Sequence, residues 1–221
     1  YFGVLISLSS YIIGLWIRRK TKLSYMNPLL IAIIITICFL LISGVSYKSY
    51  SSTSSWISYL LTPATICLAV PLYQQIELLK KNSKAILFGI LSGVLSSLVS
   101  ILLLALLFSF DHNTYVTFLP KSITTAIGMG ISEELGGYVS ISVVVIIITG
   151  VLGNIFAEGI LKLLRIEEPI AKGIAIGCSS HAVGTAKAME MGAIEGAISG
   201  LSIVVCGILT VIGASIFALF L

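Results

Sequence analysis

The chain has 221 residues, 57% of them apolar, with 13 basic and 9 acidic side chains and a mean hydropathy of +1.12. Soluble domains carry about a quarter charged residues to hold water at their surface, and 10% here excludes a soluble globular enzyme or binding module. The net charge of +4 is therefore to be read through membrane topology, with no weight on a nucleic-acid partner.

In chain order, residues 1–17, 23–47, 49–76, 85–110, 135–157 and 196–221 contain no Asp, Glu, Lys or Arg. A bilayer core takes about 20 apolar residues per helix, so six such runs predict a polytopic all-α protein. The two-residue alternation of a membrane barrel is missing from these solid Ile, Leu and Val stretches. No signal peptide is expected, because the first run lacks a basic region before it. The four cysteines lie in apolar runs without CxxC spacing, which suggests packing rather than a metal site or disulfide framework. No metal, cofactor or catalytic residue is expected, since no GxSxG or GxxxxGK[ST] motif occurs and no Asp accompanies the one histidine in an apolar run.

Ten of the thirteen basic residues sort into three loops: Arg18, Arg19, Lys20 and Lys22; Lys80, Lys81 and Lys84; Lys162, Arg165 and Lys172. The positive-inside rule places all three in the cytoplasm. Spans are then expected near 28–46, 57–79, 85–109 and 139–161, beside the first and last apolar runs. Parity leaves 118–138 unable to cross. It contains Pro120, Lys121, Glu133, Glu134 and four glycines, and reads as a hairpin entering from outside; the Gly-rich segment 169–192 reads either as its counterpart from inside, which leaves both termini outside, or as a crossing, which moves the C-terminus inside. Such broken backbone is tolerated only where protein or water shields it. About six spanning helices plus two re-entrant or broken segments follow.

Three segments share the pattern P-x5-A-[VI]-[PG], starting at Pro63, Pro120 and Pro169. The offset of 57 between the first two also aligns Leu91-SGVL-Ser96 with Ile148-TGVL-Gly153. Because the spans holding these segments run in opposite directions, the arrangement predicts inverted repeats of the transporter kind. Within one membrane domain, 1–221, the expected parts are a helical pair at 1–56, repeat-like units at 57–112 and 113–166, and a hairpin with a last helix at 167–221. Helix breaks are expected at Pro63, Pro71, Pro120, Gly128, Gly177 and Gly184.

A proline preorganises a first helical turn, and the amides left unpaired there attract anions. Pro120 is followed by Lys121, Ser122, Thr124 and Thr125, and Pro63 by Thr65; a small carboxylate could take several of these donors at once. Ser179, Ser180, His181 and Thr185 lie among small residues, and an ionisable group at membrane depth is a functional candidate. His181 is the candidate proton carrier, with Glu133 and Glu134, or a sodium site at the Pro63 and Pro120 breaks, as alternatives. Glu158 and Lys162 are expected to form an ordinary helical ion pair. The competing structural reading is that these hydroxyls bond nearby carbonyls, Lys121 snorkels and His181 is neutral on a carbonyl.

Residues 62–73 (TPATICLAVPLY), 119–129 (LPKSITTAIGM), 134–137 (ELGG) and 171–192 (AKGIAIGCSSHAVGTAKAMEMG) resemble the LrgB/CidB family of bacterial membrane proteins, to which the plant plastidial glycolate/glycerate translocator is related. The resemblance covers nearly the whole chain. It departs at Ala126, where some relatives carry proline, and the middle of the chain is nearer the CidB type. It implies a multi-pass protein of the bacterial cytoplasmic membrane that transports small monocarboxylates such as pyruvate or glycolate, with links to autolysis and murein hydrolase control. It also implies a holin-like LrgA/CidA-type partner. The expected function is therefore secondary transport, proton-coupled or sodium-coupled, by a chain that self-associates in the bilayer. The alternative is a holin/antiholin-type pore component or regulator without carrier activity.

Overall fold

The computed structural model of the chain describes residues 2–21, 27–60, 63, 67 and 69–221, and every regular element among them is helical. Two compact units divide it, Tyr1–Leu68 and Ala69–Leu221. The first contains α1 (Phe2–Thr21), α2 (Pro28–Ser43) and α3 (Tyr47–Tyr59). Asn27 caps α2, its Oδ1 accepting from Leu29 N at 2.7 Å and Leu30 N at 3.2 Å, with Pro28 in the first turn. Gly44 ends the helix in the left-handed region at φ 67°. Small residues bring the helices together: a methyl group added at Gly14 would lie 2.5 Å from the Pro28 carbonyl oxygen, and one at Gly3 2.6 Å from that of Tyr50.

The second unit runs through α4 (Ala69–Gln74), α5 (Ile76–Lys81), α6 (Ser83–Leu107), α7 (His112–Phe118), α8 (Thr125–Glu134), α9 (Val139–Leu163), α10 (Pro169–Met191) and α11 (Ala193–Phe217), closing in a 3-10 turn at Ala218–Phe220. Among the described residues, four helices are long and apolar enough to cross a membrane: Phe2–Thr21, Ser83–Leu107, Val139–Leu163 and Ala193–Phe220. Large side chains such as Leu5, Leu87, Phe88, Leu163 and Ile208 stay exposed on the described helices, as lipid-facing surfaces require. The expected crossing at 57–79 is not one helix. Its described residues end α3 and form the short α4 and α5, separated at Gln75, where polar Gln74 and Gln75 interrupt the apolar run.

The core of this unit is a stripe along α6, Ile86, Ile90, Val94, Leu98, Ile101 and Ala105, packed with Tyr115, Val116, Leu119 and Ile123. The spacing of three or four residues is one helix face. At the far end of α6, Phe110 lies between Phe108 and Phe118, centroids 6.1 and 5.7 Å away. Asp111 precedes α7, and the Thr114 hydroxyl bonded to it holds its carboxyl below the usual carboxylate range.

The two segments read as broken both double back. In the first, α7 and α8 are joined by a turn at 119–124. Thr117 and Ser132, on opposite arms, share partners: Ser142 Oγ donates to the Thr117 carbonyl at 2.8 Å and pairs with Ser132 Oγ at 2.8 Å, and Tyr138 N donates to Thr117 Oγ1 at 2.8 Å. In the second, α10 is interrupted at His181, with φ 42° and ψ −141°. Eight residues of straight helix would separate Ile176 from Gly184 by about 12 Å; instead, a methyl group on Gly184 would sit 3.0 Å from Ile176 Cγ2. The arm 169–180 runs alongside α11 in the same direction, Gly173 against Ile198 and Gly177 against Ser202, while the arm 182–191 returns, Thr185 bonding Ser199 and Met189 meeting Gly196.

Three expected breaks move accordingly. Gly128 lies inside α8, pressed between Pro120 and Ile146, and Gly177 and Gly184 lie inside the arms of α10. They serve close approach, which a missing Cβ permits, rather than a change of direction. The turn itself falls on His181. Pro120 does sit at a break, but in the turn: the helix begins only at Thr125, after Lys121 N bonds the Phe118 carbonyl and Ile123 N that of Pro120. Pro71 lies within α4 and Pro63 is helical and exposed.

Candidate functional site

Helix α9 sets the levels at which the two hairpins meet. Ser142 touches the base of the α7–α8 hairpin, and Ile146 faces its tip through Gly128. His181 Nε2 lies 2.9 Å from the Ile146 carbonyl oxygen, and Asn154 Nδ2 donates to the Val183 carbonyl at 2.7 Å. Further along, Lys187 Nζ lies 3.2 Å from Glu158 Oε2, near the base of the α10 hairpin. The hairpins thus lie along opposite halves of α9, tip toward tip near its middle. Gly150 and Gly153 make room for this, since methyl groups there would collide with the His181 ring and the Ser180 side chain.

Between α6, the α7–α8 tip and the first arm of α10 lies a groove of about 830 Å³. It begins at Asn82 and Glu168 and extends along α6 to Ser100, about 27 Å at 1.5 Å per residue. Lys121 and Ser122 stand on its wall at the tip, and Ser179 on the wall from α10. Lys121 Nζ donates to Ser122 Oγ at 3.0 Å, and Ser122 Oγ pairs with Ser97 Oγ at 3.2 Å. A cation and a chain of hydroxyls therefore line a mostly apolar cleft, a setting that holds a small anion by directed bonds while its carbon skeleton is desolvated.

The LrgB-like family profile matches residues 7–220. The chain is 36% identical over 218 residues to the antiholin-like protein LrgB of Bacillus subtilis, covering 98% of this chain and 94% of that one. It is 37% identical over 207 residues to the holin-like protein CidB of Staphylococcus epidermidis and to that of Staphylococcus aureus, covering 94% of this chain and 90% of theirs. The chain belongs to the LrgB-like family. No solved structure matches it. With its apolar helices and these bacterial relatives, this LrgB-like chain is a multi-pass bacterial membrane protein.

Of the site residues expected in this LrgB-like chain, the fold brings Lys121, Ser122 and Ser179 to one groove. Thr124 immediately precedes α8 and Thr125 opens it, so both stand at the tip but off the groove wall. Ser180 is buried, paired with Ser179 Oγ at 2.9 Å. Thr185 is buried too; its Oγ1 donates to the His181 carbonyl at 2.9 Å and pairs with Ser199 Oγ at 2.7 Å. His181 is 4% exposed and faces α9 rather than the groove. Thr65 lies outside the described residues. Glu133 and Glu134 are exposed at the end of α8, and Glu158 pairs with Lys162 at 2.9 Å as expected, and also with Lys187.

Four groove residues escaped notice as site residues: Ser92, Ser96, Ser97 and Ser100 on α6. Three of them, Ser92, Ser96 and Ser100, repeat every fourth residue in an otherwise apolar span, a signal legible in the sequence. Ser92 Oγ donates to its own helix at Gly89 O, 2.8 Å away. Gly93 and Gly150, aligned by the offset of 57, both receive the α10 hairpin near its tip: the first meets Cys178 and the second His181.

Proposed function

We propose that this protein is a secondary carrier of small monocarboxylates, of the size of pyruvate or glycolate, across the bacterial cytoplasmic membrane. The observation that carries the reading is the position of Lys121: its ammonium, bonded to Ser122, stands at the tip of a helical hairpin, in a groove walled on another side by the tip region of a second hairpin. Broken helices converging near the middle of spanning helices are how carriers expose polar backbone and side chains to a solute within the bilayer. In this reading 118–138 and 169–192 are re-entrant from opposite faces. The chain then holds an inverted pair, each a hairpin followed by a spanning helix, formed by 112–163 and 169–217.

His181 carries the coupling proton in this reading, being the titratable group at the α10 tip whose ordinary range spans neutral pH. Substrate carboxylate binds near Lys121, and no catalytic role is proposed for any residue. Uptake of labelled pyruvate and glycolate into proteoliposomes, with and without a pH gradient, tests the proposal; saturable uptake supports it.

The second reading is a holin/antiholin-type component acting with a small LrgA/CidA-type membrane protein in the control of autolysis. Its support is that the relatives at 36–37% identity over almost the whole chain are the antiholin-like protein LrgB and the holin-like protein CidB. Release of entrapped dye without selectivity for carboxylates would favour it over the carrier.

A further inference from the structure

Cys178 and Cys206 are free thiols, both buried, with their sulfurs 3.1 Å apart. Cys178 sits on the first arm of the α10 hairpin, three residues before the break at His181; Cys206 is in the middle of α11. Sequence spacing alone marks the two only as packing residues. The fold makes them neighbours because the first arm runs alongside α11, with Gly177 one residue away pressed onto Ser199 and Ser202. On the other side Gly93 leaves room for Cys178: a methyl group there would lie 3.0 Å from its Cβ and 3.2 Å from its Sγ. Cys178, 7% exposed, also lies on the groove wall, which gives a small solute in the groove an approach to one residue of the pair.

We propose that Cys178 and Cys206 form a redox modification site, oxidised by a small peroxide entering the groove to a disulfide that ties the α10 hairpin to α11. The Cys178 sulfur attacks one peroxide oxygen, the O–O bond breaks and water leaves, giving a sulfenic acid. The Cys206 sulfur then attacks the Cys178 sulfur, the S–O bond breaks and a second water leaves. Two thiols lose two electrons and two protons, and hydrogen peroxide is reduced to two waters. A disulfide requires the sulfurs to close from 3.1 Å to about 2.05 Å, a movement of the order that a rotation of one side chain supplies. The linked residues belong to two elements, so the bond removes sliding of the hairpin arm along α11. Reduction by a dithiol restores it. The inference stands apart from the carrier reading, because it requires only that a small peroxide enter the groove and not that a carboxylate bind or cross there.

The test uses the whole protein reconstituted in liposomes and treated with hydrogen peroxide, followed by denaturation, alkylation and peptide mass analysis. The expected result is a cross-linked species joining the peptides of Cys178 and Cys206, with both lost to alkylation and both recovered after dithiothreitol. Cys178→Ser and Cys206→Ser each abolish that species, while Cys38→Ser, on the exposed thiol of α2, leaves it intact. The proposal is overturned if Cys178 and Cys206 remain fully alkylated after peroxide, if peroxide yields links only through Cys38 or Cys67, or if Cys178 proceeds to a sulfinic acid without linking.

Discussion

Ile146 is touched by both hairpins at once: its carbonyl oxygen lies 2.9 Å from His181 Nε2, and its Cδ1 lies where a methyl group on Gly128 would fall, 2.4 Å away. One residue of α9 therefore fixes the level of two tips that enter along opposite halves of the helix. The bond to Ile146 holds a tip whose backbone is in a left-handed conformation at a non-glycine residue, a state that costs free energy unless its surroundings enforce it.

His181→Ala should leave the Ile146 carbonyl without this partner and loosen the tip. The carbonyl keeps its place in the α9 ladder, so the loss is that of one hydrogen bond, about 0.5–1.5 kcal/mol, measurable as a lower thermal midpoint of the purified protein. His181→Gln retains a donor and should recover part of the loss. Equal stability of the Ala variant and the wild type would show that the bond contributes nothing.

The same Gln variant addresses coupling. Protonation of the imidazole adds positive charge at the α10 tip, two residues from Ser179 on the groove wall, so carboxylate affinity in the wild type should improve as pH falls, by linkage. In His181→Gln that improvement should flatten while exchange persists. Retention of the wild-type pH profile would confine His181 to holding the tip.

Lys121→Ala should weaken apparent affinity for a small carboxylate in transport assays while leaving membrane insertion intact. Loss of a charge-assisted bond is worth about 1.5–3 kcal/mol, roughly 10-fold to 150-fold. Ser97→Ala, removing the far member of the hydroxyl chain, should have a smaller effect in the same direction. Unchanged kinetics in both variants would remove the anion from this groove.

Gly150→Ala would place a methyl group 2.5 Å from His181 Cε1 and 2.7 Å from its Nε2. Overpacking of this kind costs about 1–3 kcal/mol, and here it should also displace the imidazole from Ile146. The expected readout is a lowered thermal midpoint, with Gly159→Ala, where nothing lies within 4 Å, as the neutral control.

Topology is checked with single cysteines in place of Asn82, Glu168 and His112. Asn82 and Glu168 border one end of the groove, whereas His112 follows the other end of α6. A membrane-impermeant thiol reagent should reach the first two from the cytoplasmic face and His112→Cys from the opposite face. Labelling of all three from one side would refute the arrangement of the hairpins.

Membrane residence and the helical class were determined by sequence alone, because transfer of each residue into lipid is nearly independent of its neighbours and sums along the chain. The broken segments were legible for a related reason: Pro120, Lys121 and the glycines set 118–138 apart from an unbroken apolar helix. The same uniform hydrophobicity hides what packs inside. With every face of α6 apolar, only the fold separates the buried Ile86, Ile90 and Val94 from the exposed Leu87 and Phe88, since lipid and protein interior reward the same side chains. Lys121, Ser122 and Ser179 could be named because polar groups are conspicuous in such a chain. That the α6 serines share their groove, that the α10 break falls on His181 rather than on a glycine, and that Cys178 meets Cys206 depend on which backbones approach one another. Those approaches are set by glycines whose partners lie far away in sequence, and only the tertiary structure decides them.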